Sequence, residues 1–557
     1  MDNRKHCETL AEMALLTSAI LTMVACSRAE DSAWFREEAS ARGISFAHQS
    51  GFTGRHLVPQ IVSGGAALVD VDGDGDLDAY LVQSGRIESN DNNIGNRLYL
   101  NRGNGYFDEA PADSGAEDRG YGMGIAAGDY DNDGDVDLYI TNYGPNVLLR
   151  NNGTGQFDDV SKAAGVDDPR WSAAATFLDL DADGDLDLFV VNYMNWTPSI
   201  EQECFVRGVP TYCGPTVYNV PAMDRLYRNN GDGTFTDITF KAGINVAFGN
   251  GLGTVGADFN GDGMTDLFVA NDMMVNQLWL NQGNLRFKDE SFLWGVALDE
   301  HGIAKAGMGV AAADYDDDDD TDLLVVNLME QTDSFFRNEG NYFVDVTREV
   351  GLAAPSVRHT RFGVALADFN NDGRLDLYEA NGRIESSNPV AENFNEPNLL
   401  LRGAGDAMRF RFQQVVPMGG VSTPLIHTSR GLAIGDVNND GGLDLLIINK
   451  DSAPSLLMNQ ATRGQWVRFR VLTSVGRDAY GASVSALVGT TSMRRDVQPS
   501  ASYLASSDPR VHFGLAERTQ IKNVVVTWPG GEQERFGDFE AGETYELSSG
   551  QGKKVLE

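Results

Sequence analysis

The sequence predicts an all-β protein: a seven-bladed β-propeller followed by a small C-terminal β domain. Three observations predict it. Seven segments follow the pattern DxDxDGxxD, each preceded by a tiny residue and followed by an apolar run. A third and fourth strand can be read behind most of them. A second spacing, an aromatic followed eight residues later by Gly, alternates with the acidic segments along the chain.

The N-terminus reads as an address. Arg4 and Lys5 precede a mostly apolar stretch, Met13 to Ala25, which is too short to span a bilayer and suits a signal peptide. It ends in Met23, Val24, Ala25 and Cys26, similar to a bacterial lipobox, so Cys26 is the candidate lipidation site. The expected protein is exported, either lipid-anchored in a bacterial cell envelope or secreted. The expected division is residues 1–26 as signal peptide, 27–460 as propeller and 463–557 as C-terminal domain.

The acidic segments begin at Asp70, Asp129, Asp179, Asp258, Asp314, Asp368 and Asp436, separated by 59, 50, 79, 56, 54 and 68 residues. Such spacing fits one propeller blade per repeat with loop insertions. Five residues ahead of each stands Gly65, Gly124, Ala174, Gly253, Gly309, Gly363 or Gly431, which marks a strand in a crowded place. Runs such as DLYIT, DLFVV and DLLII behind the segments read as strands buried on both faces. Each acidic segment is therefore a connection between two strands. LxxNxG and an aromatic then follow, as in LYLNRGNGYF, giving the third strand, a turn and the fourth strand. The sixth repeat departs from this with LLLRGAGDAMRF, which puts its outer strands in question.

Side chains at positions 1, 3, 5 and 9 of such a loop converge on one cation, the carbonyl at position 7 completes the cage, and Gly at position 6 makes the turn. The candidate ligands are Asp70, Asp72, Asp74 and Asp78; Asp129, Asp131, Asp133 and Asp137; Asp179, Asp181, Asp183 and Asp187. They continue with Asp258, Asn260, Asp262 and Asp266; Asp314, Asp316, Asp318 and Asp322; Asp368, Asn370, Asp372 and Asp376; Asp436, Asn438, Asp440 and Asp444. All-oxygen ligands in this number select Ca²⁺, up to seven ions. Mg²⁺ needs a tighter octahedron, and zinc or copper would call for His or Cys. In the fifth loop Asp319 replaces Gly, and Asp tolerates left-handed backbone less well.

The loops also account for much of the charge. The chain carries 81 acidic against 43 basic residues, a net charge of -38 that disfavours nucleic acid or an anionic membrane as partner. The only membrane association expected is through the lipid anchor. Cys204 and Cys213 stand close together in a Pro/Gly-rich insertion with no accompanying zinc-ligand pattern, so they are expected to form a disulfide.

The aromatic–Gly spacing predicts how the ring closes. It occurs at Phe107/Gly115, Phe157/Gly165, Phe235/Gly243, Phe287/Gly295, Phe343/Gly351 and Phe412/Gly420, and its seventh copy, Phe35/Gly43, precedes the first loop. Residues 35–44 are therefore expected to supply the outer segment of the blade holding Asp436 to Asp444, next to Leu456 and Leu457.

With Phe362-Gly363 before one loop and Gly/Ala-rich strands before all, these repeats resemble FG-GAP repeats of the integrin-type propeller, a likeness that implies calcium in the loops. Tyr480-Gly481-Ala482, SYLASSDPRVHFGLAE from Ser502 and VVVTWPGGE ending at Glu532 resemble the ASPIC/UnbV domain of the cartilage acidic protein family. The CGP at Cys213 is similar to that family's insertion. The resemblance implies no reaction.

An enzyme is not indicated. There is no GxSxG, HExxH or GxxxxGK[ST], and GLGTVG from Gly251 runs into an Asp loop rather than a helix. His359, His427 and His512 read as structural, and Trp171, Trp196, Trp279 and Trp294 as space-filling, with a sugar-stacking surface as the alternative. The expected function is a non-catalytic binding, adhesion or scaffold module for a protein or glycan ligand. The alternative is an enzyme or carbohydrate-binding protein using the propeller channel or face.

Overall fold

A computed structural model describes residues 33–87, 94–246, 248–385, 393–405 and 410–555; Cys26 lies outside them. Seven sheets are each built from four antiparallel strands. In the second, Gly122–Gly128, Asp137–Asn142, Val147–Asn151 and Phe157–Asp159 follow one another from the centre outwards. The sixth sheet has the same order, with Leu399–Ala404 paired to Arg411–Gln414. The expected doubt about its outer strands is thus corrected: the turn sequence differs, but the strands still pair.

The seven inner strands are Ala66–Val69, Gly122–Gly128, Ser172–Leu178, Gly251–Ala257, Val310–Ala313, Arg361–Ala367 and Ser429–Gly435. Each touches the next, and the last touches the first, so the sheets form a closed ring. Tiny residues are needed at this radius. A Cβ on Gly309 would lie 2.1 Å from the Phe362 carbonyl oxygen of the neighbouring inner strand.

Closure uses both chain ends. Phe35–Glu37 pairs antiparallel with Ser455–Asn459, Phe35 opposite Asn459 and Glu37 opposite Leu457, and becomes the outer strand of the seventh sheet. Phe35 is buried between blades, its ring edge-on to Phe369 and Tyr378. Borrowing the strand leaves no sheet without its outer partner.

The Asn of LxxN has a role that the repeat pattern alone did not disclose. Asn151 Nδ2 donates to Val136 O of its own blade and to Val71 O of the preceding one, at 3.0 and 2.7 Å. Asn101, Asn229, Asn281, Asn338 and Asn459 make the same pair of bonds, and Asn101 to Val437 O joins the first blade to the seventh. Gly403 occupies this place in the sixth blade, so that seam lacks the side-chain bridge. Asn151→Ala strands two buried carbonyls and should lower stability by about 1–3 kcal/mol, read as a shift in denaturant midpoint.

The C-terminal domain contains a three-stranded sheet around Gln465–Leu472 and a five-stranded sheet that includes Ser483–Val488 and Gln520–Thr527. Between them the chain runs into the ring. Ala505–Ser506 adds to the first inner strand in parallel, and Ser502 exchanges backbone bonds with Val310 at 2.6 and 3.0 Å. Ser502, Ser506 and Ser507 hydroxyls accept from the backbone N–H groups of Val364, Ala127 and Ile434. Gln498 Nε2 donates to Gly256 O. Residues 498–508 are thus an axle, satisfying inner-strand groups that would otherwise line a channel. Tyr503 is buried with its ring edge-on to Phe362, in one core cluster with Met123, Trp171, Leu252 and Met308, and its hydroxyl donates to Val62 O.

Candidate functional site

The acidic loops all emerge on the face covered by the C-terminal domain, and in each the first aspartate accepts from the N–H at position 6. In the first, Asp70 accepts from the N–H groups of Gly73 and Gly75, and Asp74 from that of Asp76. Asp78 lies at the start of the second strand, where its two oxygens accept from Val71 N and Asn101 N at 3.0 and 2.7 Å. The equivalent pair is made by Asp137, Asp266, Asp322, Asp376 and Asp444, with Gly403 N replacing the Asn N–H in the sixth blade. Position 9 therefore ties the loop to the third strand as well as facing the cation site. In the fifth loop Asp319 adopts φ 73° and its N–H still reaches Asp314, so the loop keeps its shape despite losing the glycine.

The donor set fits a cation. Carboxylate oxygens lie within 4.8 Å of one another in the groups Asp70/Asp72/Asp78, Asp129/Asp131/Asp137, Asp179/Asp181/Asp183 and Asp314/Asp316/Asp322. At position 3, one oxygen of Asp72, Asp131, Asp181, Asp316 and Asn438 is buried without a hydrogen-bond partner. Buried acceptors are rarely left so, and the four aspartate oxygens at this loop position share one explanation, a cation held among them. The fourth, sixth and seventh loops have Asn260, Asn370 and Asn438 at position 3, each donating its amide to the position 5 aspartate.

Burial without a cation raises these carboxyls. Asp78, Asp187 and Asp266 are pushed from the ordinary 3.8 to about 8 and Asp137 to about 9, desolvation outweighing the N–H bonds they accept. Asp322, Asp376 and Asp444 move in the same direction for the same reason. At position 1, burial pushes Asp129 and Asp179 up to about 6, and Asp314 and Asp368 to about 7. The oxygens that would hold Ca²⁺ are those that cannot comfortably hold charge alone.

The C-terminal domain grips the loops. Arg477 donates to Asn132 Oδ1 of the second and Gly184 O of the third loop, at 2.9 Å each. Arg494 reaches Asp319 O in the fifth, Gly530 N reaches Gly263 O in the fourth, and His512 Nε2 lies 2.8 Å from Asn371 Oδ1 in the sixth. Arg468 Nη1 donates to Asp436 Oδ2 in the seventh. His512, which reads as structural in the sequence, is a buried contact between domains, held far below its ordinary pKa, to about 3, by desolvation.

The opposite face is roofed by the insertion of the third blade. Cys204 and Cys213 form a disulfide across the hairpin of Cys204–Val206 and Val209–Thr211. Tyr212 beyond it packs on His56 and Phe394, so the insertion crosses to residues of the sixth blade. The axle occupies the middle of the ring, the place that the enzyme alternative would use. The sugar-stacking alternative is corrected: Trp171, Trp196 and Trp279 are buried, while Trp294 is half-buried against Phe343. His359 and His427 lie on either side of Glu396, the first 3.8 Å from its carboxylate and the second opposite it in a backbone pair, and Glu396 is itself paired to Arg383.

Comparison with known proteins agrees with the repeats. A family described as FG-GAP-like repeat matches residues 70–140, 129–190, 258–325 and 314–379, and a family described as ASPIC and UnbV matches residues 473–554. Cartilage acidic protein 1 of Xenopus tropicalis is 26% identical over 496 residues, covering 84% of this chain and 61% of that protein. The mouse protein of the same name is 27% identical over 310 residues, covering 53% of this chain and 44% of its own length. The chain thus spans less than two thirds of these relatives. Among solved structures, an Agrocybe aegerita lectin specific for non-reducing terminal N-acetylglucosamine gives a TM-score of 0.39 at 16% identity, covering 70% of this chain and 86% of the lectin. The chain carries FG-GAP-like repeats and a C-terminal ASPIC and UnbV domain, and is similar to cartilage acidic protein 1.

Proposed function

We propose that this is an extracellular, calcium-stabilised binding module without catalytic activity. The observation that carries the calcium reading is the set of partnerless position 3 oxygens, facing carboxyls that burial has pushed towards neutrality. Calcium fixes the loops and, through them, the surface on which the C-terminal domain rests. Recognition of a protein or glycan is assigned to the rim and the roofed face, because residues 498–508 run through the ring and the C-terminal domain lies over the loops. The extracellular setting is supported by similarity to cartilage acidic protein 1 and by the disulfide, which persists in oxidising compartments. A lipid anchor at Cys26 is a reading of the sequence alone.

Each ion is held within one blade's loop. Asp133→Ala should therefore lower the calcium content by one ion per chain and leave the other blades folded, read by native mass spectrometry and far-ultraviolet circular dichroism. Binding is tested by passing extracellular extract over the immobilised protein. Retained species that leave in chelator and do not bind a denatured control support the reading. Retention of nothing above control, or turnover of the retained species, contradicts it.

A further inference from the structure

The seven loops are not electrostatically alike. In the first, second, fourth and fifth, no ion pair to a ligand carboxylate is made among the described residues. The third and sixth have arginines near them, Arg228 by Asp181 and Asp183 and Arg402 by Asp372, but these side chains are 44% and 48% exposed and can swing away.

The seventh loop differs. Arg468 Nη1 donates to Asp436 Oδ2 at 3.0 Å with both side chains buried, 2% and 0% exposed. Its Nη2 donates to Asn439 Oδ1 at 2.9 Å. Arg463 Nη2 lies 3.1 Å from Asp440 Oδ1, its Nη1 anchored on Asn459 O. Two of the three carboxylates in this loop therefore already face a guanidinium, since Asn438 supplies no charge. Arg463 lies between the last propeller strand, Ser455–Asn459, and the first strand of the C-terminal domain, Gln465–Leu472, which carries Arg468. A buried arginine cannot leave its carboxylate without stranding its own charge.

Resting on the calcium reading above, we propose that Arg468 and Arg463 take the cation's part at the seventh loop. The resident ions then belong to the other loops, and the C-terminal domain is fastened at the seventh by ion pairs instead of metal. A divalent ion entering there would sit within a few ångströms of two fixed positive charges, weakening its binding by about tenfold or more relative to the first loop. Asn438 Oδ1 also lacks a partner, but an amide oxygen leaves no net charge for a cation to offset.

The test is an ion count on the full chain by native mass spectrometry, after equilibration with calcium and exchange into metal-free buffer. Asp440→Ala should leave the count at the wild-type value, whereas Asp74→Ala and Asp133→Ala, at the same position of the first and second loops, should each lower it by one. Arg463→Gln, a partly exposed change that spares the buried arginine, should strengthen calcium binding at the seventh loop in a titration. A count that falls by one in Asp440→Ala overturns the proposal while leaving calcium binding intact. A wild-type protein with no calcium at all overturns the calcium reading and this proposal with it.

Discussion

In excess chelator at pH 8 the protein should melt on the order of 10 °C below its value in calcium, and the gap should shrink as the pH is lowered to 5. A ligand that binds only the native state adds about 2.7 kcal/mol per site at a hundredfold excess over Kd, and several such sites in a chain of this size give a shift of that order. The pH dependence follows from the buried carboxyls. Asp78, Asp187 and Asp266 are raised from 3.8 to about 8 and Asp137 to about 9, so the metal-free native state binds more protons than the unfolded chain between those limits. That contribution to stability is complete below pH 3.8 and is lost as the pH rises through 8 to 9, so metal-free stability falls with pH. Calcium takes the proton's place and removes this loss. Melting curves in calcium and in chelator at pH 5, 6.5 and 8 check the sign; a gap that widened toward acid pH would contradict it.

Tyr503→Ala should lower stability by about 3–5 kcal/mol, through a cavity at the centre of the ring. Tyr503 is fully buried, touches Phe362 edge-on, and donates to Val62 O. Tyr503→Phe removes only the hydroxyl and should cost about 1–2 kcal/mol. Both are read from denaturant midpoints monitored on the propeller. A cost below about 1 kcal/mol for the alanine variant would mean that the axle is not seated in the ring.

Much of this architecture was legible in the sequence because its signals are local. Strand, loop and turn repeat in register, and the displaced aromatic–Gly copy at Phe35/Gly43 shows that the ring closes with a borrowed strand, which Phe35 opposite Asn459 fulfils. The regular loop wiring follows from the same pattern, since Asp70 and Asp78 bond mostly within a few residues. The axle was not legible. Residues 498–508 have no period, and their partners, Ala66, Ala127, Val310, Val364 and Ile434, lie far away in the chain. Nor does Arg468 announce that it faces Asp436. The sixth blade misled in the opposite sense: Gly403 removes the Asn bridge, yet its backbone N–H still serves Asp376 and the outer strands form.

The central claim is that divalent cations complete the acidic loops. Elemental analysis of protein purified without added metal, then dialysed against trace calcium, tests it most directly. The account predicts several calcium ions per chain and none of zinc or copper above trace. Protein free of calcium after that dialysis, melting identically in calcium and in chelator, would contradict it.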